Sequence, residues 1–251
     1  MFNLKGRRAL ITGASSGIGK HFAKVLAQHG ATVVIAARRK DKLDDTAAAI
    51  RSAGGTVAVV EMDVSNGKSI VAGVDAAEQA VGLIDILVNN AGIIGTKSAV
   101  DMPEEEWDAV LETNLRGSWL CAREIAKRLI AAKAPGAVLN VASVLGLMTQ
   151  KGTAPYAASK AGLIHLTRVL ASEWMKHGIR VNSLAPGYIA TDMADGFFTT
   201  SHGQKILQTI PMRRVGTVDD LTAPMLLLVS DASAYMSGSV ITIDGGLSLG
   251  N

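Results

Sequence analysis

Three side chains in the middle of the sequence have the types and the spacing needed to move a proton. Ser143 is followed by Tyr156 thirteen residues later, and by Lys160 four residues after that. If this stretch is helical, Tyr156 and Lys160 lie on one face, one turn apart. A free tyrosine has a pKa of about 10, and a neighbouring ammonium lowers that pKa by favouring the phenolate. The pattern predicts a tyrosine that serves as a general acid or base, although Tyr-x-x-x-Lys also occurs by chance in many helices.

Ser143 stands at the end of an apolar run, AVLNVAS, which predicts a buried strand. Its hydroxyl would therefore lie at the open end of a sheet, beside the start of the helix that carries Tyr156. A serine in that position is more often a cap or a turn residue. The catalytic interpretation therefore needs a cofactor site at the same edge of the sheet.

Apolar runs alternate with helical segments along the whole chain of 251 residues. The predicted strands lie at 8–12, 32–37, 56–61, 84–89, 137–143, 179–185 and 240–243. They are continuously apolar, which is typical of parallel strands covered on both faces. We therefore predict an α/β fold: a doubly wound (Rossmann) seven-stranded parallel sheet with helices on both faces, in a single domain over 1–251. An eight-stranded barrel is the alternative, and it would need one more strand.

Helices are predicted between these strands, at about 20–29, 40–53, 66–80, 103–132 and 218–230. The helix with Tyr156 and Lys160 is expected to end near His177, and Pro224 is expected to kink the last helix. Residues 186–214 are predicted to be a loop that contains a short helix.

The composition excludes several classes of protein. The chain is 48% hydrophobic and 19% charged, which suits a large core and not a disordered chain. The net charge is +3 and the basic residues are scattered, so nucleic acid is not an expected partner. The single cysteine, Cys121, excludes an intrachain disulfide and fits a reducing compartment. It lies in an apolar helical pattern, which is typical of a small core residue.

Signals for export, membrane insertion or metal binding are not found in the sequence. The N-terminus leads straight into a strand without the apolar segment of a signal peptide, and no apolar run reaches the ~18 residues of a membrane span. We therefore expect a soluble, cytoplasmic protein with no membrane partner. No metal site is predicted, because the histidines have no ligand spacing with one another or with the cysteine. They are His21, His29, His165, His177 and His202.

A glycine-rich loop, TGASSGIG at 12–19, joins the first predicted strand to the first helix. Gly13 allows a tight turn, and Gly17 and Gly19 let the backbone and the helix approach a ligand closely. The helix N-terminus then offers free N–H groups and a positive dipole to a pyrophosphate. A glycine-rich turn alone is weak evidence, but the strand–loop–helix context predicts a dinucleotide site. The loop residues assigned to it are Gly13, Ser15, Ser16, Gly17, Ile18 and Gly19.

The end of the second strand indicates which dinucleotide binds. An NAD site usually carries Asp or Glu there for the ribose hydroxyls, whereas this chain has Ala37 followed by Arg38 and Arg39. No carboxylate would repel a 2′-phosphate, and two guanidinium groups can bind one. We therefore predict NADP(H) as the cofactor, with a solvated basic turn as the alternative.

Further cofactor contacts are expected at the ends of the other strands, which meet at one edge of a parallel sheet. Asp63 could accept a hydrogen bond from the adenine amino group, and the small residues after the fourth strand would let a ribose lie against the backbone. The residues assigned at this edge are Asp63, Asn90, Ala91, Gly92, Pro186, Gly187, Ile189 and Thr191.

Together these motifs resemble those of the classical short-chain dehydrogenase/reductase family, in the family's order and over essentially the whole chain. They are TGASSGIG at 12–19, NNAG at 89–92, ETNLRG around Asn114, Ser143, Tyr156-x-x-x-Lys160 and PGYIAT at 186–191. The segment SVITIDGG at 239–246 is similar to the 3-oxoacyl-thioester reductase and ketoreductase branch.

The resemblance implies a catalytic tetrad, which here would be Asn114, Ser143, Tyr156 and Lys160. Tyr156 would donate the proton when NADPH reduces a ketone or 3-oxo group to a secondary alcohol, and Ser143 would hydrogen-bond the carbonyl. Lys160 would lower the pKa of the tyrosine and hold the nicotinamide ribose. Asn114 would anchor a water molecule that extends the proton relay.

The resemblance also implies contacts and an assembly. Asp63 and Val64 would contact the adenine, Thr191 would bind the carboxamide, and four copies would form a homotetramer through the long helices and the last strand. The alternatives are an NAD-linked alcohol or sugar dehydrogenase and, outside the enzymes, an NADP(H)-binding regulatory protein.

The substrate is only weakly specified by the sequence. Residues at about 192–212 are predicted to form a lid, whose apolar side chains could equally be the packing face of a short helix. Arg213 and Arg214 could serve an acidic carrier. The residues assigned to the substrate are Ser143, Leu145, Gln150, Tyr156 and Phe197.

Overall fold

The computed structural model describes residues 2–191 and 200–249, and its centre is a parallel β-sheet. This sheet confirms the predicted fold class: its seven strands are all parallel and have the order β3-β2-β1-β4-β5-β6-β7. The strands are β1 (Arg8–Thr12), β2 (Thr32–Ala37), β3 (Val57–Glu61), β4 (Ile86–Asn89), β5 (Gly136–Val141), β6 (Ile179–Pro186) and β7 (Val240–Ile243).

Helices cover both faces of the sheet, because successive residues of a strand point to opposite sides. The α-helices of the described residues are α1 (Gly17–Gln28), α2 (Lys40–Ser52), α3 (Gly67–Val81), α4 (Glu104–Leu111), α5 (Gly117–Ala132), α6 (Ala154–Trp174), α7 (Ser201–Thr209) and α8 (Thr222–Val229). In β1, Leu10 belongs to the core under α3, α5 and α6, whereas Ile11 belongs to the core under α1, α2 and α8.

The strand order reverses at β1, which has β2 on one side and β4 on the other. The crevice at such a reversal, beyond the carboxyl ends of the strands, is where open α/β sheets bind ligands. The loops after β1 and β4 meet at this crevice, so the fold brings the glycine-rich loop and the NNAG turn together.

Two helices differ from their predictions. The predicted helix at 103–132 is instead α4 and α5 joined by a π-helical turn at Glu112–Arg116. A single wide turn leaves too little trace in the apolar periodicity to be predicted. Pro224 does not interrupt the last helix, because α8 begins at Thr222 and the proline lies in its first turn, where no backbone N–H is needed.

Among the described residues, no helix is both long enough and apolar enough to cross a membrane. The same part of the chain contains no cluster of three or more His, Cys, Asp or Glu side chains arranged to hold a metal ion.

Candidate active site

The carboxyl end of β5 and the first turns of α6 bring the proton-transfer candidates together. Ser143 lies two residues beyond β5, where its Oγ accepts a hydrogen bond from the Leu145 amide at 3.1 Å. The Ser143 hydroxyl also lies close enough to the phenol of Tyr156 to lower the pKa of that phenol. Lys160 is buried one helical turn further on, with its Nζ 5.6 Å from the centre of the Tyr156 ring. The three side chains predicted from their spacing therefore converge at one edge of the sheet.

The pKa of Tyr156 is shifted in the direction opposite to the one predicted. Burial raises the pKa of Tyr156, and the Ser143 hydroxyl opposes the rise only in part. Lys160 does not reverse it, because its Nζ donates to the Val141 carbonyl at 2.8 Å rather than to the phenol. Burial also lowers the pKa of Lys160 to about 8. Tyr156 is therefore protonated at neutral pH, as a proton donor must be.

Asn114 lies buried in the π-helical turn, and both ends of its amide are engaged. Its Oδ1 accepts from the Ile93 amide at 2.8 Å, and its Nδ2 donates to the Ile93 carbonyl at 2.9 Å. Nδ2 also donates to the Ser159 Oγ at 3.1 Å, and Ser159 donates to the Tyr156 carbonyl at 2.7 Å. Asn114 therefore ties the turn after β4 to the part of α6 that carries Tyr156 and Lys160.

The glycines of the loop after β1 are required by close contacts. Gly13 has a φ of 65°, and a Cβ on it would lie 2.8 Å from the Ala91 Cα. A Cβ on Gly19 would lie 2.5 Å from the Gly13 carbonyl oxygen. Helix α1 begins at Gly17, and the Ser16 side chain makes no capping hydrogen bond to it. The first N–H groups of α1 are therefore available to an anion such as a pyrophosphate.

Two arginines lie beside this loop, at the carboxyl end of β2. Arg39 donates from Nη2 to the Ser15 Oγ at 3.3 Å. Arg38 is exposed, and its charge acts on the carboxylate of Asp63. These residues fit a dinucleotide with a 2′-phosphate: the helix N-terminus would hold the pyrophosphate, and the two guanidinium groups would hold the extra phosphate.

The chain is similar to known proteins over nearly its whole length. A family model described as enoyl-(acyl carrier protein) reductase matches residues 13–248. A 3-oxoacyl-[acyl-carrier-protein] reductase from Thermotoga maritima is 39% identical over 97% of this chain and 98% of its own. A solved short-chain type dehydrogenase/reductase from Mycobacterium marinum is 38% identical, with a TM-score of 0.93 over 98% of this chain and 97% of that one. The chain belongs to the short-chain dehydrogenase/reductase family.

A second solved structure shows that relatives with the same fold are named for a different substrate. It is a gluconate 5-dehydrogenase from Burkholderia cenocepacia in complex with NADP and tartrate. It is 35% identical, with a TM-score of 0.94 over 100% of this chain and 98% of that one. This short-chain dehydrogenase/reductase is therefore an oxidoreductase. Relatives of similar identity are named for different substrates, a 3-oxoacyl group in one case and gluconate in the other.

In this dehydrogenase/reductase, the Asn90 side chain shapes the glycine-rich loop. Its Nδ2 donates to the carbonyls of Thr12 and Gly13, at 3.0 and 3.2 Å. The Thr12 hydroxyl in turn accepts from the backbone amides of Asn90 and Ala91, at 3.1 Å each. The side chain of Asn90, a residue that the sequence predicts at the cofactor, therefore holds the glycine-rich loop in place.

The loop after β3 holds an ionised carboxylate. Burial opposes ionisation of Asp63, but hydrogen bonds from Ser65 and the charge of Arg38 together lower its pKa. The Asp63 Oδ1 accepts from the Ser65 amide at 3.0 Å and from the Ser65 hydroxyl at 2.7 Å. Val64 is buried beside it. Asp63 is therefore a fixed hydrogen-bond acceptor, as the adenine contact predicted for it requires.

The turn after β6 contacts the glycine-rich loop through Thr191. A Cβ on Gly17 would lie 3.5 Å from the Thr191 Cγ2, so the two loops approach each other closely. Pro186 ends β6, and the Gly187 amide continues the ladder by donating to the Ile243 carbonyl at 2.9 Å. Ile189 forms an isolated bridge with Gly216. Thr191 is thereby placed where the loops after β1 and β6 meet.

The residues predicted to contact the substrate lie in different parts of the structure. Gln150 accepts a hydrogen bond from the Tyr188 hydroxyl at 2.6 Å and lines a pocket. Leu145 is buried in an apolar cluster, so its side chain serves packing. Phe197 lies outside the described residues, as does the first part of the predicted lid. The described remainder of the lid contains α7, whose Ile206 lines the same pocket as Gln150.

Arg213 and Arg214 hold their own loop together. Arg214 forms two hydrogen bonds with the Asp220 carboxylate, at 2.7 and 2.9 Å, and Arg213 donates to the Gln208 carbonyl. The contact of these arginines to an acidic carrier stays a prediction.

Sequence reasoning missed two residues of the site. Ser159 is fully buried and links Asn114 to α6; a polar residue on the inner face of an apolar helix, directly before Lys160, was its only signal. Tyr188 pairs with Gln150 across the pocket. Nothing in the local pattern indicated that pair, because the two residues follow different strands.

Proposed function

We propose that this enzyme reduces a ketone or 3-oxo substrate to a secondary alcohol with NADPH, reversibly, with Tyr156 as the proton donor. The observation that carries the proposal is the position of Tyr156. Its phenol has a raised pKa, interacts with Ser143, and lies at the sheet edge that also carries the glycine-rich loop. A proton donor beside a dinucleotide site is the arrangement that carbonyl reduction requires.

The choice of NADP(H) rests on the end of β2. Arg38 and Arg39 flank the glycine-rich loop, and Ala37 stands where NAD-specific sites carry an acid. The gluconate 5-dehydrogenase from Burkholderia cenocepacia, whose complex contains NADP, supports the same choice.

The chain's own residues account for the proton transfer. When bound, the nicotinamide supplies the hydride. Tyr156 donates its proton to the carbonyl oxygen, and Ser143 and Tyr156 together stabilise the negative charge that develops on that oxygen. Lys160 would hold the ribose and support the phenolate left on Tyr156. Asn114 holds α6 against the turn after β4 through its hydrogen bonds to Ile93 and Ser159. It would also anchor the water molecule through which a proton returns to Tyr156.

The substitution Tyr156→Phe tests this assignment, because it removes the acidic proton and keeps the ring. We expect kcat for ketone reduction to fall about 10²- to 10⁴-fold, the usual contribution of a general acid. Tyr235→Phe is the matched control, since Tyr235 is fully exposed. Steady-state NADPH oxidation on a panel of β-keto esters, bicyclic ketones, aryl ketones and steroids is the measurement. Turnover of Tyr156→Phe within a few-fold of the parent enzyme would remove Tyr156 from the mechanism.

Oxidation of a sugar or sugar acid is the second candidate function. It is supported by the similarity to gluconate 5-dehydrogenase, and it would use the same side chains in reverse. Adding gluconate and other sugar acids to the substrate panel, and running it in both directions with NADP and with NAD, separates the two candidates. NADPH binding without turnover on any substrate would instead favour a regulatory protein. The homotetramer and the cytoplasmic location stay predictions.

A further inference from the structure

A pocket of about 310 Å³ lies between the loop after β5, the turn after β6 and α7. Its apolar walls include Met148, Ile206 and Leu247. Tyr156, Met148 and Tyr188 pack against one apolar cluster, so the pocket adjoins the catalytic tyrosine. Its volume is at the lower end of the range for small-molecule sites, which suits a compact substrate.

The polar side of this pocket presents hydrogen-bond donors. The Tyr188 hydroxyl donates to the Gln150 Oε1 at 2.6 Å, which orients the amide and leaves its NH₂ group for another acceptor. Within residues 2–191 and 200–249, no group accepts a hydrogen bond from the Gln150 Nε2. A glutamine amide has two such N–H donors, so an acceptor from a ligand would complete the site.

Lys151 adds a positive charge beside these donors. It lines the same pocket, and no carboxylate of the described residues forms an ion pair with it. None of the described walls of the pocket is Asp or Glu. An ammonium and an amide NH₂ that line one pocket can each bind an oxygen of a carboxylate. Charge-assisted hydrogen bonds of this kind are roughly twice as strong as neutral ones.

We propose that this pocket selects substrates that carry a carboxylate, bound by the Lys151 ammonium and the Gln150 NH₂ group. This inference rests on the proposed function and specifies its substrate class: a compact oxo acid or hydroxy acid rather than a neutral ketone or a long acyl thioester. Tyr188 is a positioning residue that orients Gln150. The reacting carbonyl then lies between this anchor and Tyr156.

A binding experiment tests the anchor without turnover. The Tm of the enzyme with saturating NADPH is measured with 3-hydroxybutanoate and 3-hydroxyhexanoate, and with the methyl ester of each. The free acids should raise the Tm more than the esters do. Lys151→Glu should abolish that difference, and Gln150→Ala should reduce it. Lys176→Glu is the matched control, because Lys176 is an exposed lysine in the 3₁₀ turn beyond the far end of α6.

Kinetics on the corresponding 3-oxo acid and 3-oxo ester give the second readout. We expect kcat/KM to favour the acid, and Lys151→Glu to lower the acid-to-ester ratio by about tenfold or more, the scale of a charge-assisted hydrogen bond. Equal Tm shifts for acid and ester, or an acid preference that survives Lys151→Glu, would overturn the proposal. Selective binding of the acids without reduction of any ketone would instead contradict the proposed function and leave the anchor standing.

Discussion

At the scale of single residues, burial has the largest effect on the pKa values of the proposed catalytic groups. Lys160 is enclosed, and desolvation lowers its pKa from 10.5 to about 8. Its hydrogen bond to the Val141 carbonyl at 2.8 Å fixes the ammonium without neutralising it. The lysine therefore carries a charge that is costly to bury, and the proposed contact with the cofactor would give that charge a partner.

Lys160 should make the stability of the enzyme depend on pH. Below about pH 8 the folded and unfolded chains are both protonated at this lysine, and the folded state carries the full cost of the buried charge. Between the folded and unfolded pKa values the unfolded chain binds more protons, so stability rises with pH. The free energy of unfolding of the parent, relative to that of Lys160→Met, should increase by about 2 kcal/mol between about pH 7.5 and about pH 10.

Urea unfolding of both proteins at the two pH values provides the measurement. Lys160→Met removes the titration and keeps an apolar stem of similar length, so it isolates this lysine from the tyrosines that titrate in the same range. A difference between the two proteins that does not change with pH would show that the lysine is not desolvated.

The arginines after β2 should determine cofactor preference. Arg38→Ala and Arg39→Ala should each lower the ratio of kcat/KM with NADPH to that with NADH by about tenfold, because each removes a charge-assisted contact to the 2′-phosphate. Lys40→Ala, the next residue along, is the control for loss of general positive charge. An unchanged ratio in both arginine variants would exclude this turn as the phosphate site.

At the scale of elements, the π-helical turn between α4 and α5 is the connection that places the catalytic helix. The turn brings the Asn114 amide to the Ile93 backbone and to Ser159. Ser159 precedes Lys160 on α6, so one amide couples the loop after β4 to the lysine. A π-turn inside a helix is often found at functional sites.

Asn114→Leu should therefore destabilise the enzyme and reduce its activity. The leucine would remove the hydrogen bonds of the Asn114 amide to the Ile93 backbone and to the buried Ser159 hydroxyl, and each lost hydrogen bond costs about 0.5–1.5 kcal/mol. Ser159→Ala is the matched comparison, since it removes only one of the contacts of Asn114 and should cost less. Denaturant unfolding and kcat, measured together, test both variants. Wild-type stability in Asn114→Leu would contradict the structural role.

At the scale of the whole molecule, buried hydrogen bonds join the sheet to the helices that cover one of its faces. The Asn89 Nδ2 donates to the Asn140 Oδ1 at 2.9 Å, between β4 and β5, and also to the Ser118 carbonyl of α5 at 2.9 Å. The Asn140 Nδ2 then donates to the Thr167 hydroxyl of α6 at 2.9 Å. These bonds tie β4 and β5 to α5 and α6, two helices on the same face of the sheet.

Removing one side chain of this network should lower the free energy of unfolding substantially. Removing two should lower it by less than the sum of the two single effects. Asn140→Ala leaves the Asn89 amide and the Thr167 hydroxyl without that partner, so we expect a loss of about 3 kcal/mol. In the double variant with Thr167→Val, the second substitution should cost less than it does alone, because residues of one network couple. Strict additivity of the free energies of unfolding would show that Asn140 and Thr167 act independently.

The sequence by itself determined the fold class, the position of the glycine-rich loop, and the Ser143, Tyr156 and Lys160 set. These follow from local patterns: apolar runs, glycines at a strand–helix junction, and a spacing of four on a helix. The tertiary structure decided the direction in which the pKa of Tyr156 is shifted, the hydrogen-bond partners of Asn90 and Asn114, and the pairing of Gln150 with Tyr188. Those properties depend on burial and on which loops meet at the sheet edge, and residues far apart in the chain set both.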